Sequence, residues 1–339
     1  MIELDGDYGE GGGQIIRNAL SLSCLTGRPF KINNIRKGRG IPGLKRQHLA
    51  CVNALKELVG AVVEGDFLGS TELSFSPGKK EPGNISVDIG TAGAITLFLQ
   101  SLLPFLVFQK KRVKVNVKGG TDVQWSMPYD YFANILVPQL RRFADIGCRL
   151  LRRGYFPDGG GEVELIVRPH CFKEIIMLER SGMAQVKGIA SASSVLETKE
   201  VCERMADSAG HALSSLGVPV NISRQYGLSF SAGCCITLWA VFDSDVFPVA
   251  VGADVLGSAG KKPEDVGKEC AEKLLAELSS GAPIDCHLAD NLIPFLGVAG
   301  GAVKASSVSK HTLSAIYVAE KFLDVKFEVK DNIIRVLRA

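Results

Sequence analysis

One pattern, repeated three times along the chain, limits the fold more than any single residue does. From His48 the segment LACVNALKELVG places Leu49, Val52, Leu55, Leu58 and Val59 on one side of a helix. Gly60 closes that helix, and AVVEG and TELSFSP follow as short strands. From Tyr131, FANILVPQLRRFADIG reads as a helix interrupted at Pro138, with CRLLRRG and GEVELIVRP as strands after it. Near the end, LSAIYVAEKFLDV is followed by KFEVK and NIIRVL around an Asp331-Asn332 turn. A further helical segment precedes each copy: QIIRNALSLSCLTG, AGAITLFLQSLLPFLVF and ADNLIPFLGVAGG. These lead into PFKINNIR, RVKVNVKG and AVKASS as strands. Units of two helices and a small sheet account for this spacing and predict an α+β fold. Such modules are common, so the pattern is silent on chemistry.

Residues 181–280 break the rhythm. Strand-like AQVKGIASAS and CCITLWAVF alternate with helices near ETKEVCERMADSAGHALSSLG and PEDVGKECAEKLLAELSSG. The reading is a smaller inserted α/β domain over 181–280, within a large domain formed by 1–180 and 281–339. A hydrophobic fraction of 46% with 22% charged residues suits a folded globular chain. The net charge of +3 suits contact with a few phosphates and not the coating of a duplex. The nine cysteines include no C-x-x-C spacing, which argues against zinc and against a disulfide framework. The acidic start and the interrupted apolar run at 94–108 suit neither a signal peptide nor a membrane span, so a soluble cytoplasmic protein is expected, a nuclear one being the alternative.

Five stretches can carry chemistry. Gly9-Glu10-Gly11-Gly12-Gly13-Gln14 runs straight into a helix, with Arg17 one turn in. It is either a flexible turn or an anion site made from a helix N-terminus and a guanidinium. It fits neither the dinucleotide fingerprint nor the P-loop. Arg36, Lys37, Arg39, Lys45 and Arg46 crowd a turn that contains Pro42 and Gly43. This is a solvated basic loop or a site for a terminal phosphate; no interleaved aromatic residues suggest a stacking platform. RGYFPDGGG at 153–161 reads as a turn or bulge between strands. Asp290, near a helix start, can cap it or hold a metal or a ribose hydroxyl. His311, just before the last helix, is either structural or a nucleophile, since neutral imidazole is available near pH 7.

Together GEGGGQIIR, IRKGRGIPGLKRQHL, RGYFPDGGGEV, HLADNL and SKHTLSAIYVAEKFL resemble, in order and from residue 9 to residue 323, the RNA 3′-terminal phosphate cyclase family. The resemblance implies a large domain of three repeated units, each of two helices plus a four-stranded sheet, with a smaller inserted α/β domain. It implies that His311 takes AMP from ATP. Arg17, Gln100, Pro128, His287, Leu288, Ala289, Asp290 and Asn291 would bind ATP or AMP, with Pro128 packed on the adenine. Arg36, Arg39 and Gln47 would hold the RNA phosphate, and Glu10 a divalent metal, Mg or Mn. His287 stands where bacterial members often have Tyr; its ring can still stack on adenine. No residue of the insert carries over.

The implied product is a 2′,3′-cyclic phosphate at an RNA 3′ end, made through a histidine-bound adenylate and an RNA adenylate. The alternative is a non-catalytic relative that assists ribosome assembly; such relatives lack the histidine. An enolpyruvyl-type transferase built from the same units would show no ATP dependence.

Overall fold

A computed structural model describes residues 1–170, 174–244 and 249–338. The chain begins with β1 (Ile2–Asp5), α1 (Gln14–Thr26), β2 (Phe30–Asn33), α2 (Arg46–Val59), β3 (Val62–Glu64) and β4 (Leu73–Ser76). Next come β5 (Ile85–Asp88), α3 (Ile95–Leu106), β6 (Val113–Gly119), a helical segment, β7 (Ala144–Arg152) and β8 (Gly161–Pro169). That segment is α4 (Tyr129–Tyr131), a π turn (Phe132–Leu136) and α5 (Val137–Leu140). After β9 (Ile175–Met177) the chain forms β10 (Met183–Ser193), α6 (Val201–Leu213), β11 (Val220–Gly227), β12 (Cys234–Phe242), β13 (Val249–Leu256) and α7 (Pro263–Ser279). It ends with α8 (Cys286–Ala299), β14 (Gly301–Lys304), α9 (Lys310–Phe322), β15 (Val325–Lys330) and β16 (Ile333–Arg338).

The strands form four mixed sheets, ordered β1-β2-β4-β3, β5-β6-β8-β7, β9-β14-β16-β15 and β11-β10-β12-β13. In the first three the outer pair β1–β2, β5–β6 or β9–β14 is parallel and the other pairings are antiparallel. Buried and accessible positions alternate along β6 and β8, so one face of the sheet packs inward. Helices α1, α2, α3, α8 and α9 pack against one another. A single apolar core joins Leu4 to Ile334 through these helices and the first three sheets. A second core runs from Val186 to Leu278. Trp239 and Ala250, from β12 and β13, belong to the first core, so the fourth sheet leans on the rest of the molecule.

Local chemistry explains the boundaries. Gly27 and Gly60 end α1 and α2 in left-handed conformation, which only glycine adopts without strain. Asp331 and Asn332 both take positive φ in the tight β15–β16 turn. The predicted helix FANILVPQLRRFADIG stops earlier than its pattern suggested. Pro138 is the second residue of α5, just after the π turn, where its missing N–H costs little, and the helix ends at Leu140. Ala144 to Gly147 instead pair with Pro169 to Ile166 of β8, so cross-strand bonding overrides the helical periodicity. Strands β1, β5, β9, β11 and β13 had no counterpart among the expected elements.

The segment RGYFPDGGG joins two bodies. Arg153 is buried, with Asp122 at 3.2 Å, Asp130 at 2.8 Å and the Gln225 side chain of β11 at 3.1 Å. Two carboxylates and an amide satisfy a cation that burial alone would disfavour.

Candidate active site

The N-terminus of α9 is built to hold a histidine still. Ser309 is the cap: its hydroxyl accepts from the Thr312 N–H, and the Thr312 hydroxyl accepts from the Ser309 N–H. Both hydroxyls donate to one oxygen of Asp290, on α8. Burial pushes the Asp290 carboxyl up, and these two bonds pull it back. His311 lies between the two capped residues with its side chain 44% exposed, its Nε2 2.8 Å from a Glu10 oxygen. The other Glu10 oxygen accepts from Arg39 at 2.6 Å. Residues from the two ends of the chain thus meet at one carboxylate.

The glycines beside Glu10 make room for the cations. A Cβ at Gly12 would lie 3.4 Å from an Arg39 nitrogen. One at Gly13 would lie 2.2 Å from His48 Nε2 and 3.0 Å from an Arg17 nitrogen. The run then opens α1, whose first N–H groups have no helical acceptor. Arg17 is buried, and burial lowers its pKa to about 10, which still leaves it a cation near neutral pH. Its Nε donates to Gln100 of α3 at 3.3 Å, and the Gln100 amide donates to Asn291 of α8 at 2.8 Å. Asn291 donates in turn to the His287 carbonyl. The nearby Gln47 Nε2 is buried without an acceptor, a donor that a phosphate oxygen would satisfy.

The remaining sequence candidates fall as follows. Arg36, of positive φ, spends one nitrogen on the Ile41 and Gly43 carbonyls and so braces its own loop. Pro128 is buried at the start of α4, next to Met127, whose carbonyl accepts from Thr96 of α3. His287 is exposed, its ring edge-on to Tyr131. Leu288 and Ala289 lie in the main core, which leaves only their backbone for a nucleotide.

His48 is a member of this cluster that the sequence reading passed over. It sits in the first turn of α2, and its Nδ1 accepts the Lys45 N–H at 3.0 Å. Burial, followed by the charges of Arg17, Arg36 and Lys45, lowers its pKa to about 3. The sequence signal was slight: a histidine directly after the candidate phosphate ligand Gln47. The unfolded chain takes up this proton near pH 6.5 and the folded chain only near pH 3. Stability supplied by the neutral ring is therefore present above pH 6.5 and drains away as the pH falls through that window. Urea unfolding should show stability falling by up to about 1.4 kcal/mol per pH unit on acidification from this group, and His48→Gln should flatten the slope. Identical slopes for the two proteins would refute this.

A family model described as RNA 3′-terminal phosphate cyclase matches residues 8–329. The chain belongs to the RNA 3′-terminal phosphate cyclase family. A relative of that name from Pyrococcus furiosus is 44% identical, over 98% of this chain and 96% of its own. Those from Archaeoglobus fulgidus and Methanosarcina barkeri are 42% and 41% identical, over 99% and 97% of this chain and 100% and 97% of theirs. In this cyclase-family chain, no helix among the described residues is long and apolar enough to cross a membrane. Those residues include no cluster of three or more side chains suited to hold a metal ion. Glu10, the residue expected to hold a metal, has one oxygen on Arg39 and the other on His311.

Proposed function

We propose that this chain converts an RNA 3′-terminal phosphate to a 2′,3′-cyclic phosphodiester at the expense of ATP. The observation that carries the reading is the His311 imidazole, fixed at a capped helix start and 2.8 Å from Glu10, beside buried and half-buried guanidinium groups. In the first step a ring nitrogen of His311 attacks the α-phosphorus of ATP and pyrophosphate leaves. The RNA phosphate oxygen then attacks that phosphorus, freeing the histidine and forming an RNA adenylate. Finally the neighbouring 2′-hydroxyl attacks the RNA phosphorus, expelling AMP. A phosphate monoester has no good leaving group, and the AMP passed on from the histidine supplies one.

Glu10 orients the imidazole through Nε2. Arg17, with Gln100 and Asn291, faces the triphosphate, while Arg36, Arg39 and Gln47 hold the RNA phosphate. Pro128, His287 and the α8 start, Leu288 to Asn291, bound the adenylate. Asp290 reaches His311 through Ser309 and Thr312. A divalent metal, Mg or Mn, held by Glu10 would neutralise charge on the phosphates. The matching order of the first three sheets supports a large domain of three repeated units over 1–180 and 281–339. The second apolar core supports an inserted domain over 181–280. The reading places the enzyme in the cytoplasm.

The test is an end-labelled RNA with a 3′-phosphate, incubated with the protein, ATP and Mg2+. The expected product resists phosphatase and reopens in acid. A substrate whose last sugar lacks the 2′-hydroxyl should stall as the RNA adenylate, because ring closure has no nucleophile. An RNA end left open to phosphatase, with and without ATP, would refute the reading.

A further inference from the structure

Among the described residues five aromatic side chains other than histidine are exposed: Tyr8, Phe67, Trp125, Phe156 and Phe230. Three of them, Trp125 at 93%, Phe156 at 75% and Phe230 at 66%, sit on loops that meet at one end of the second sheet. The meeting is explicit in the backbone. The Thr121 N–H donates to the Gly154 carbonyl at 2.8 Å, which joins the loop carrying Trp125 to the loop carrying Phe156. Ser231 accepts the Asp158 N–H and donates to its carboxylate, which joins the Phe156 loop to the Phe230 loop of the fourth sheet. A Cβ at Gly160 would lie 2.2 Å from the Phe230 ring, so that glycine seats the ring. Arg152 places its guanidinium 4.7 Å from the same ring centre while its Nε donates to the Gly160 carbonyl.

This end of the sheet is continuous with the phosphate ligands. A Cβ at Gly159 would lie 2.8 Å from the Thr91 carbonyl, and one at Gly93 would lie 3.7 Å from the Gln47 side chain. Trp125 also has φ +68, a conformation that bulky residues rarely adopt, so local backbone energy is spent on holding an indole in solvent. Exposed rings, a stacked guanidinium and an adjoining phosphate site are the parts that bind single-stranded nucleic acid.

We propose that Trp125, Phe156 and Phe230 form a base-stacking surface for the single-stranded nucleotides on the 5′ side of the RNA's terminal phosphate, one of its three rings supplied by the inserted segment. The inference rests on the proposed RNA substrate. It assigns work to RGYFPDGGG, which the chemistry at His311 does not use: the motif locks the insert against the second sheet and completes the surface.

The experiment compares an octanucleotide with a dinucleotide, both ending in a 3′-phosphate, on the full-length protein. Loss of one stacked base weakens binding roughly ten- to a hundredfold. Phe156→Ser with Phe230→Ser should therefore raise the octanucleotide KM at least about tenfold relative to the dinucleotide KM. Trp239 is buried, so iodide quenching reports on Trp125. The octanucleotide should protect that emission, and the protected component should vanish in Trp125→Phe. An unchanged KM ratio, or protection by ATP alone and not by RNA, would overturn the surface. A wild-type protein that cyclises neither oligonucleotide would overturn the underlying reading instead.

Discussion

His311→Asn should lose the acid-labile AMP adduct entirely when incubated with ATP labelled at the α-phosphate, and cyclase turnover should fall on the order of 10⁴-fold or more. The asparagine amide keeps a hydrogen-bond donor toward Glu10, but its nitrogen has no available lone pair for phosphorus. The side chain is 44% exposed and the helix cap is made by Ser309 and Thr312, so the melting temperature should hardly move. That separation matters, because a mutant that unfolds also loses label. Undiminished labelling would remove His311 as the nucleophile and turn attention to another residue of the cluster.

Asp285→Ala should be the most damaging single truncation for stability, at roughly 3–5 kcal/mol. Asp285 is fully buried at the start of α8, and burial pushes its carboxyl above the ordinary range. One oxygen accepts from the Leu288 N–H and the Tyr131 hydroxyl; the other accepts from the Gly252 N–H at 2.8 Å. Three elements that do not adjoin in sequence, α8, α4 and β13, hang on this one group. Alanine strands all three donors where water does not reach them, each at about 1–3 kcal/mol. Asp285→Asn retains one acceptor and should recover part of the loss. Urea denaturation of the three proteins gives the comparison, and a loss below about 1 kcal/mol in the alanine variant would refute this account.

The helices that carry the site were legible because each buries a long apolar stripe: α2 and α9 begin and end within a few residues of their patterns. Strands β1, β5 and β9 were not, since IELD, ISVD and IIM are too short for alternation to register. Their pairing with β2, β6 and β14 is a tertiary fact. Much the same holds in the site. Motif resemblance named Glu10 and His311, but nothing local announces that they touch. His48 stayed hidden because its role depends on three cations that fold around it. RGYFPDGGG read as a turn; the buried carboxylates that receive Arg153 come from Asp122 and Asp130, some thirty residues upstream in the first case and over twenty in the second.

The place where the fourth sheet enters has a bearing on synthesis. It is threaded between β9 and α8, so β9 waits for β14 while more than a hundred intervening residues leave the ribosome. The first two sheets can close as they emerge, and the fourth can settle around its own core. The third cannot, and α9 must still dock on α1 before Glu10 meets His311. A nascent chain therefore lacks the contact between Glu10 and His311 until α9 has emerged and packed on α1, so the two halves of that pair are separated in time as well as in sequence.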